Sequence, residues 1–120
     1  RLKQHFINEN KDRSIFRKNI GRSILNKNKD PFLSSWDIDL TTKAAKDRFL
    51  SQIDLKKQKE IEKSVSDYIQ KNFSFVVFQM DSLNQRLEFE SKLISTLSLC
   101  GECSPSVNWL GNHSPIKKIR

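Results

Sequence analysis

The segment Phe73-Ser-Phe-Val-Val-Phe-Gln-Met80 decides which fold the sequence predicts. Phenylalanine and valine dominate it, and apolar residues fall at both odd and even positions, so both faces of a strand would be apolar. Such a strand lies inside a sheet and needs hydrogen-bonded neighbours. No other segment is a convincing second strand. We therefore expect an α/β fold in which this one clear strand belongs to a small three-stranded sheet flanked by helices, with the other two strands lying upstream in a longer polypeptide.

The rest of the sequence has mainly the apolar periodicity of helices. One helix is expected to run from a cap at Ser14 to about Leu25. Others are expected over residues 43–49, 54–71 and 82–99, the last with serine and glutamine in capping-box spacing. The chain should therefore be mostly helical.

The length of 120 residues fits one domain. We expect this domain to span residues 1–112, with a helical insertion at about 30–70 and a tail at 113–120. No apolar run approaches the roughly 20 residues that span a bilayer, and no signal peptide is recognisable. A cytoplasmic protein without a membrane partner is expected.

Positive charge is concentrated near the start of the chain. The net charge is +8, and residues 1–29 hold nine Lys or Arg against Glu9 and Asp12. Clustered cations attract phosphate backbones through counterion release, which favours DNA or RNA as partner. A solvated face that keeps the protein soluble is the alternative. The helix from Ser14 is expected to present its cations to solvent, and the candidate nucleic-acid-binding residues are Arg13, Arg17, Lys18 and Arg22.

Two cysteines, Cys100 and Cys103, have the spacing C-x-x-C, and no second pair exists in the sequence. Two reduced thiols in a turn are the favoured interpretation. A structural zinc that recruits His113 and His5 is the alternative.

One glutamate interrupts the apolar stripe of the helix over 82–99. Glu90 lies at helical spacing from its neighbours on the stripe, which are Leu83, Leu87, Ile94 and Leu97. A buried carboxylate without a partner costs several kcal/mol. Glu90 is therefore expected either to form an ion pair with Arg86, one turn earlier, or to hold a metal ion.

Arg1 and His5 are one helical turn apart, so both side chains point in one direction. A guanidinium can stabilise charge on a reacting phosphate, and an imidazole can donate a hydrogen bond or move a proton. Two polar residues at this spacing also occur on any solvated helix.

Asn108 and His113 lie in a loop rich in Ser, Pro, Gly and Asn, where they can be turn formers or ligands.

Taken in order, these segments resemble the GIY-YIG nuclease superfamily. Arg1-Leu-Lys-Gln-His5-Phe is similar to its R-x-x-x-H-F element, and Leu87-Glu-Phe-Glu90-Ser-Lys-Leu-Ile94 to its metal-binding helix. Pro105-Ser-Val-Asn108 resembles the turn that closes the family site. The resemblance covers residues 1–25 and 73–112.

The resemblance implies a metal-dependent endonuclease that hydrolyses DNA phosphodiester bonds with Mg²⁺ or Mn²⁺. It implies that Glu90 binds the metal and that Arg1 contacts the scissile phosphate. It also implies that His5 assists and that Asn108 positions the phosphate. Both signature tyrosines are absent, since Tyr68 is the only tyrosine and lies in another element. We therefore expect the tyrosine-bearing hairpin to lie outside this chain.

Two other functions stay open at this stage. A DNA- or RNA-binding module could keep the nuclease fold without its chemistry. A basic helical scaffold could have a zinc-pinned C-terminal loop. No small-molecule cofactor is expected, and the sequence does not decide the oligomeric state.

Overall fold

The computed structural model describes residues 2–102 and 104–117, and its regular secondary structure there is helical. The α-helices are α1 (Leu2–Phe6), α2 (Ile15–Lys27), α3 (Leu33–Asp37), α4 (Lys43–Phe49), α5 (Leu55–Asn72) and α6 (Leu83–Leu99). Short 3-10 helices cover Lys11–Arg13, Leu50–Gln52 and Leu110–His113. Within these ranges no helix has the length and apolar character that a bilayer span requires.

The predicted strand at residues 73–80 is not formed. Across the described parts of the chain there is no strand and no sheet, so the predicted α/β fold with a three-stranded sheet is wrong. Val76 and Val77 are 77% and 72% exposed, which is the opposite of a strand buried on both faces. High β-propensity describes how well side chains fit a pleated surface. It yields a strand only where a second segment completes the ladder of backbone hydrogen bonds.

The predicted helices are confirmed, and side-chain caps explain where they begin. Ser14, Thr42, Asp54 and Ser82 each accept a hydrogen bond from the backbone N–H three residues later, at 3.0–3.2 Å. Each bond satisfies one of the N–H groups that a helix leaves without an internal partner. The local sequence therefore fixes the starts of α2, α4, α5 and α6.

The chain divides into two compact units, the first formed by the residues up to Phe73 together with those from Leu110 onward. In this unit α2 packs against α3, α5 and the 3-10 helix at 110–113. Trp36 is fully buried, and its indole N–H donates to the carbonyl of Lys18 at 3.0 Å. The buried apolar cluster consists of Ile20, Leu25, Trp36, Ile61, Val65, Ile69 and Leu110.

The second unit covers Ser74–Trp109 and contains α6. The rings of Phe78 and Phe89 pack against each other with their centroids 5.4 Å apart. No residue of α6 is buried. The apolar stripe of this helix, which was expected to face a core, therefore stays accessible.

Candidate functional site

His5, near the end of α1, is half-buried beside the N-terminus of α2. Its Nδ1 atom lies 2.7 Å from the hydroxyl oxygen of Ser14. The imidazole also meets the ring of Phe16 edge to face, with centroids 6.0 Å apart. Among the residues that the structure describes, Nε2 has no hydrogen-bond partner. One ring nitrogen of His5 is thus engaged within the first unit.

Arg17 follows on the first turn of α2, and it does not face solvent as predicted. Its side chain is fully buried and forms an ion pair with Glu62 of α5. The guanidinium donates to Glu62 Oε2 from Nε at 3.1 Å and from Nη2 at 2.9 Å. Nη2 also donates to the hydroxyl of Ser66, and Nη1 to the backbone carbonyl of His5 at 3.2 Å. Since the guanidinium is used inside the protein, the expected solvent exposure of Arg17 is wrong.

Burial and hydrogen bonding change the pKa values of Glu62 and Lys11 in opposite directions. Burial raises the pKa of the Glu62 carboxyl, and the hydrogen bond from Arg17 opposes this rise. The second oxygen of Glu62 accepts the backbone N–H of Lys11. Burial likewise lowers the pKa of the Lys11 ammonium, which donates to Asp12 at 2.7 Å and to the carbonyl of Ile38 at 2.6 Å.

Two of the other predicted nucleic-acid-binding cations are also engaged within the first unit. Lys18 is 9% exposed, and its Nζ lies 3.8 Å from an oxygen of Asp12. Arg22 pairs with Asp37, with 2.5 Å between Nε and Oδ1. Arg13 is exposed and forms no salt bridge with any described residue. Of the four predicted cations, Arg13 is therefore the one whose charge faces solvent unpaired.

Sequence reasoning missed the part that Arg17 and Glu62 play, although their spacing contains a signal. Arg17 precedes the buried Ile20 by three positions and the buried Leu25 by eight, so it lies on the apolar face of α2. Glu62 precedes Val65 by three positions and Ile69 by seven, so it lies on the apolar face of α5. Two opposite charges on two apolar faces indicate a buried ion pair.

Glu90 lies in the second unit, on α6, and its side chain is exposed. It borders an open groove of about 590 Å³, which it lines together with Leu87, Ser91 and Ile94. The ion pair with Arg86 that the sequence allowed is absent from the described residues. Glu88, two positions earlier, does form a pair, with Lys92 at 2.7 Å. The two glutamates thus differ: Glu88 forms an ion pair with its neighbour, and Glu90 forms none with the described residues.

Asn108, the other site residue predicted in this unit, is exposed in a turn, where Trp109 N–H donates to Ser106 O at 3.0 Å. Arg1 and Cys103 lie outside the described residues. His113 belongs to the first unit, and its backbone carbonyl accepts a hydrogen bond from Asn26 at 2.9 Å.

A metal ion in the second unit would rely on one carboxylate. Among the described residues there is no group of three or more His, Cys, Asp or Glu side chains that could bind a metal. Mg²⁺ is commonly held by one or two carboxylates together with water and substrate phosphate. The exposed carboxylate of Glu90, which has no ion-pair partner within residues 2–102 and 104–117, fits this mode of binding.

Comparison with known proteins adds one match. The family model for the GIY-YIG domain matches residues 1–120. No curated protein and no solved structure matches the chain. Because the match extends over the whole sequence, the chain belongs to the GIY-YIG domain family.

Proposed function

We propose that this protein is a metal-dependent endonuclease that hydrolyses DNA phosphodiester bonds. The observation that carries the proposal is the family match over residues 1–120, since GIY-YIG domains are generally nuclease domains. The structure supports it through the difference between Glu88, which is paired with Lys92, and Glu90, which borders a groove and has no ion-pair partner in the described parts of the chain.

Glu90 would hold the divalent cation, Mg²⁺ or Mn²⁺, through its carboxylate. When bound, such a cation supplies Lewis-acid stabilisation of the negative charge that develops on the leaving oxygen. Apart from Glu90, the groove is lined by three apolar residues and three serines, so it offers no other charged side chain. A divalent cation held by this one carboxylate would take its other ligands from water and from a phosphate oxygen of the substrate.

His5 and Asn108 would act on the scissile phosphate with Arg1. Nε2 of His5 is the ring nitrogen without a partner in the described chain, so it is the atom that can donate to a phosphate oxygen. A hydrogen bond to a phosphate that gains charge in the transition state lowers the barrier to hydrolysis. Asn108 would position the phosphate through its amide, and Arg1 would neutralise its charge.

Exposed cations would hold the DNA without reading its sequence. Arg13 is exposed and unpaired among the described residues, and it lies within the basic segment of residues 1–29. Contacts of this kind go to phosphate oxygens and fix the position of the duplex. They make binding strongly dependent on salt.

Nicking of supercoiled plasmid, with Mg²⁺ or with EDTA, tests the proposal. We expect Glu90→Gln to abolish metal-dependent nicking while DNA binding is retained. Glu88→Gln is the matched control, since it removes a carboxylate from the same helix, and it should nick like the wild type. Undiminished nicking by Glu90→Gln would exclude its role as metal ligand. Plasmid that is retarded in a gel but intact under every condition would favour a non-catalytic DNA- or RNA-binding module.

A further inference from the structure

The imidazole of His5 is held from one side by a single hydroxyl group. Ser14 is 2% exposed, and its Oγ lies 2.7 Å from Nδ1 of His5. The same Oγ accepts the backbone N–H of Arg17 at 3.2 Å as the cap of α2. A hydroxyl carries one proton and accepts through two lone pairs. Arg17 already satisfies this oxygen as an acceptor, with its second lone pair still vacant, so the hydroxyl proton is the group still without a partner among the described residues.

Nδ1 of His5 is the acceptor that the geometry offers to this proton. A buried hydroxyl that donates to nothing costs free energy, so the bond is expected to run from Ser14 to the ring. Nδ1 then has no hydrogen of its own. In the neutral imidazole one nitrogen carries the hydrogen and the other accepts, so the hydrogen lies on Nε2.

The backbone of His5 is fixed as well, through the side chain of Arg17 in the first turn of α2. Nη1 of Arg17 donates to the carbonyl of His5 at 3.2 Å. The guanidinium cannot turn away, because Glu62 and Ser66 of α5 accept its remaining hydrogen bonds at 2.9–3.1 Å. The ring of His5 is thus bonded to the N-cap residue of α2, and its main chain to Arg17 in the first turn of that helix.

We propose that Ser14 is a positioning residue for His5: its hydroxyl donates to Nδ1, which keeps the hydrogen on Nε2 and presents an N–H donor to the phosphate. The contact between Nε2–H and a phosphate rests on the proposed nuclease function. The hydrogen bond and the tautomer do not, and they are measurable without any substrate.

The tautomer is tested by ¹⁵N NMR of the two histidine side chains at mildly alkaline pH, where an ordinary imidazole is neutral. The sequence contains only His5 and His113, so a His113→Gln variant assigns the signals. We expect His5 in the wild type to be almost wholly the Nε2–H tautomer. Ser14→Ala should move His5 toward the mixture that His113 shows in the same spectrum. A wild-type His5 with the hydrogen on Nδ1, or one unchanged by Ser14→Ala, would overturn the proposal.

Ser14 also caps α2, so a second variant separates the two roles. Glycine at an N-cap costs only a few tenths of a kcal/mol, and Ser14→Gly removes the hydroxyl with little loss of helix. Ser14→Gly should shift the His5 tautomer as Ser14→Ala does. Ser14→Thr keeps a hydroxyl group and should therefore give the wild-type spectrum. Thr42→Gly, which removes the equivalent cap of α4, should leave the His5 signals unchanged.

Cleavage kinetics test the link to function. If Ser14 acts through His5, Ser14→Gly should lower kcat roughly 10-fold with little change in KM, as expected for a misplaced catalytic group. The same change in a His5→Gln background should have no further effect. Equal losses in both backgrounds would contradict the positioning role. If the protein does not cleave DNA at all, the NMR result still decides whether Ser14 fixes the tautomer, so the two proposals fail separately.

Discussion

Arg17 and Glu62 form a buried ion pair that joins α2 to α5, two helices that are 45 residues apart at this contact. Nε and Nη2 of the guanidinium both donate to the same carboxylate oxygen, at 3.1 and 2.9 Å, and neither side chain is more than 4% exposed. Each partner also bonds to backbone, Arg17 to the carbonyls of His5 and Glu62, and Glu62 to the N–H of Lys11. The pair therefore connects α1, the 3-10 helix at 11–13, α2 and α5.

Glu62→Gln is expected to lower the free energy of unfolding by about 3–5 kcal/mol, because the variant leaves the charge of Arg17 buried without a counter-ion. A loss of this size is a large part of the stability of an ordinary domain. Urea denaturation followed by circular dichroism measures it. Glu60→Gln, on the exposed face of the same helix, is the control and should cost little. A similar loss of unfolding free energy in both variants would mean that the buried ion pair contributes no more to stability than an exposed glutamate does.

Some of this structure follows from the sequence because it depends on residues near one another. Helix starts are of this kind, since Ser14 and Ser82 bond to N–H groups three residues away. The ends of α4 and α6 likewise agree with the predicted ranges.

Other features depend on residues that are distant in the sequence, and these were not predicted. Whether residues 73–80 form a strand depends on a partner segment, which periodicity within one segment does not reveal. The environment of Arg17 depends on Glu62, 45 positions later, whereas the pattern within the helix from Ser14 predicted that its cations face solvent. Glu90 was singled out as a carboxylate on an apolar stripe, yet the stripe itself is exposed in α6.

Gly21→Ala is expected to destabilise the protein by about 1–3 kcal/mol through overpacking. A Cβ at this position would overlap the indole of Trp36, which is fully buried and held by its hydrogen bond to Lys18 O. In a helix interior without such a contact, alanine is more stabilising than glycine by roughly 0.5–1 kcal/mol. A loss of stability in Gly21→Ala would therefore support the clash, and a gain would exclude it.

Chemical denaturation of two comparison variants checks this explanation. Gly101→Ala, where an added Cβ meets no atom within 4 Å, should be near neutral. Trp36→Phe combined with Gly21→Ala should be less destabilised than the two single changes predict, because the smaller ring leaves room for the methyl group. Strict additivity would contradict the assigned contact.

Acid should destabilise the protein in part through Asp30. The backbone N–H of Phe32 and the ammonium of Lys57 both bond to this carboxylate, and they lower its pKa below the ordinary value of 3.8. A carboxyl with a lowered folded-state pKa stabilises the fold above its unfolded pKa, and the contribution is lost as pH falls through the folded value. Asp30→Asn should therefore flatten the acid limb of the stability curve. Parallel acid limbs for the wild type and Asp30→Asn would contradict this.

DNA binding should depend on exposed cations of the basic segment. Arg13 is exposed and has no salt bridge in the part of the chain that the structure describes, so Arg13→Gln should weaken binding to all duplexes alike. It should also reduce the slope of log K against log salt concentration by about one, because one fewer counterion is released. Lys56→Gln, an exposed cation of α5 outside that segment, is the control for net charge alone. Arg17→Gln is uninformative about direct contact, since it would also break the buried pair with Glu62 and remove the hydrogen bond to the His5 carbonyl. Fluorescence anisotropy across a salt series separates these cases: equal slopes for wild type and Arg13→Gln would place the DNA on another surface.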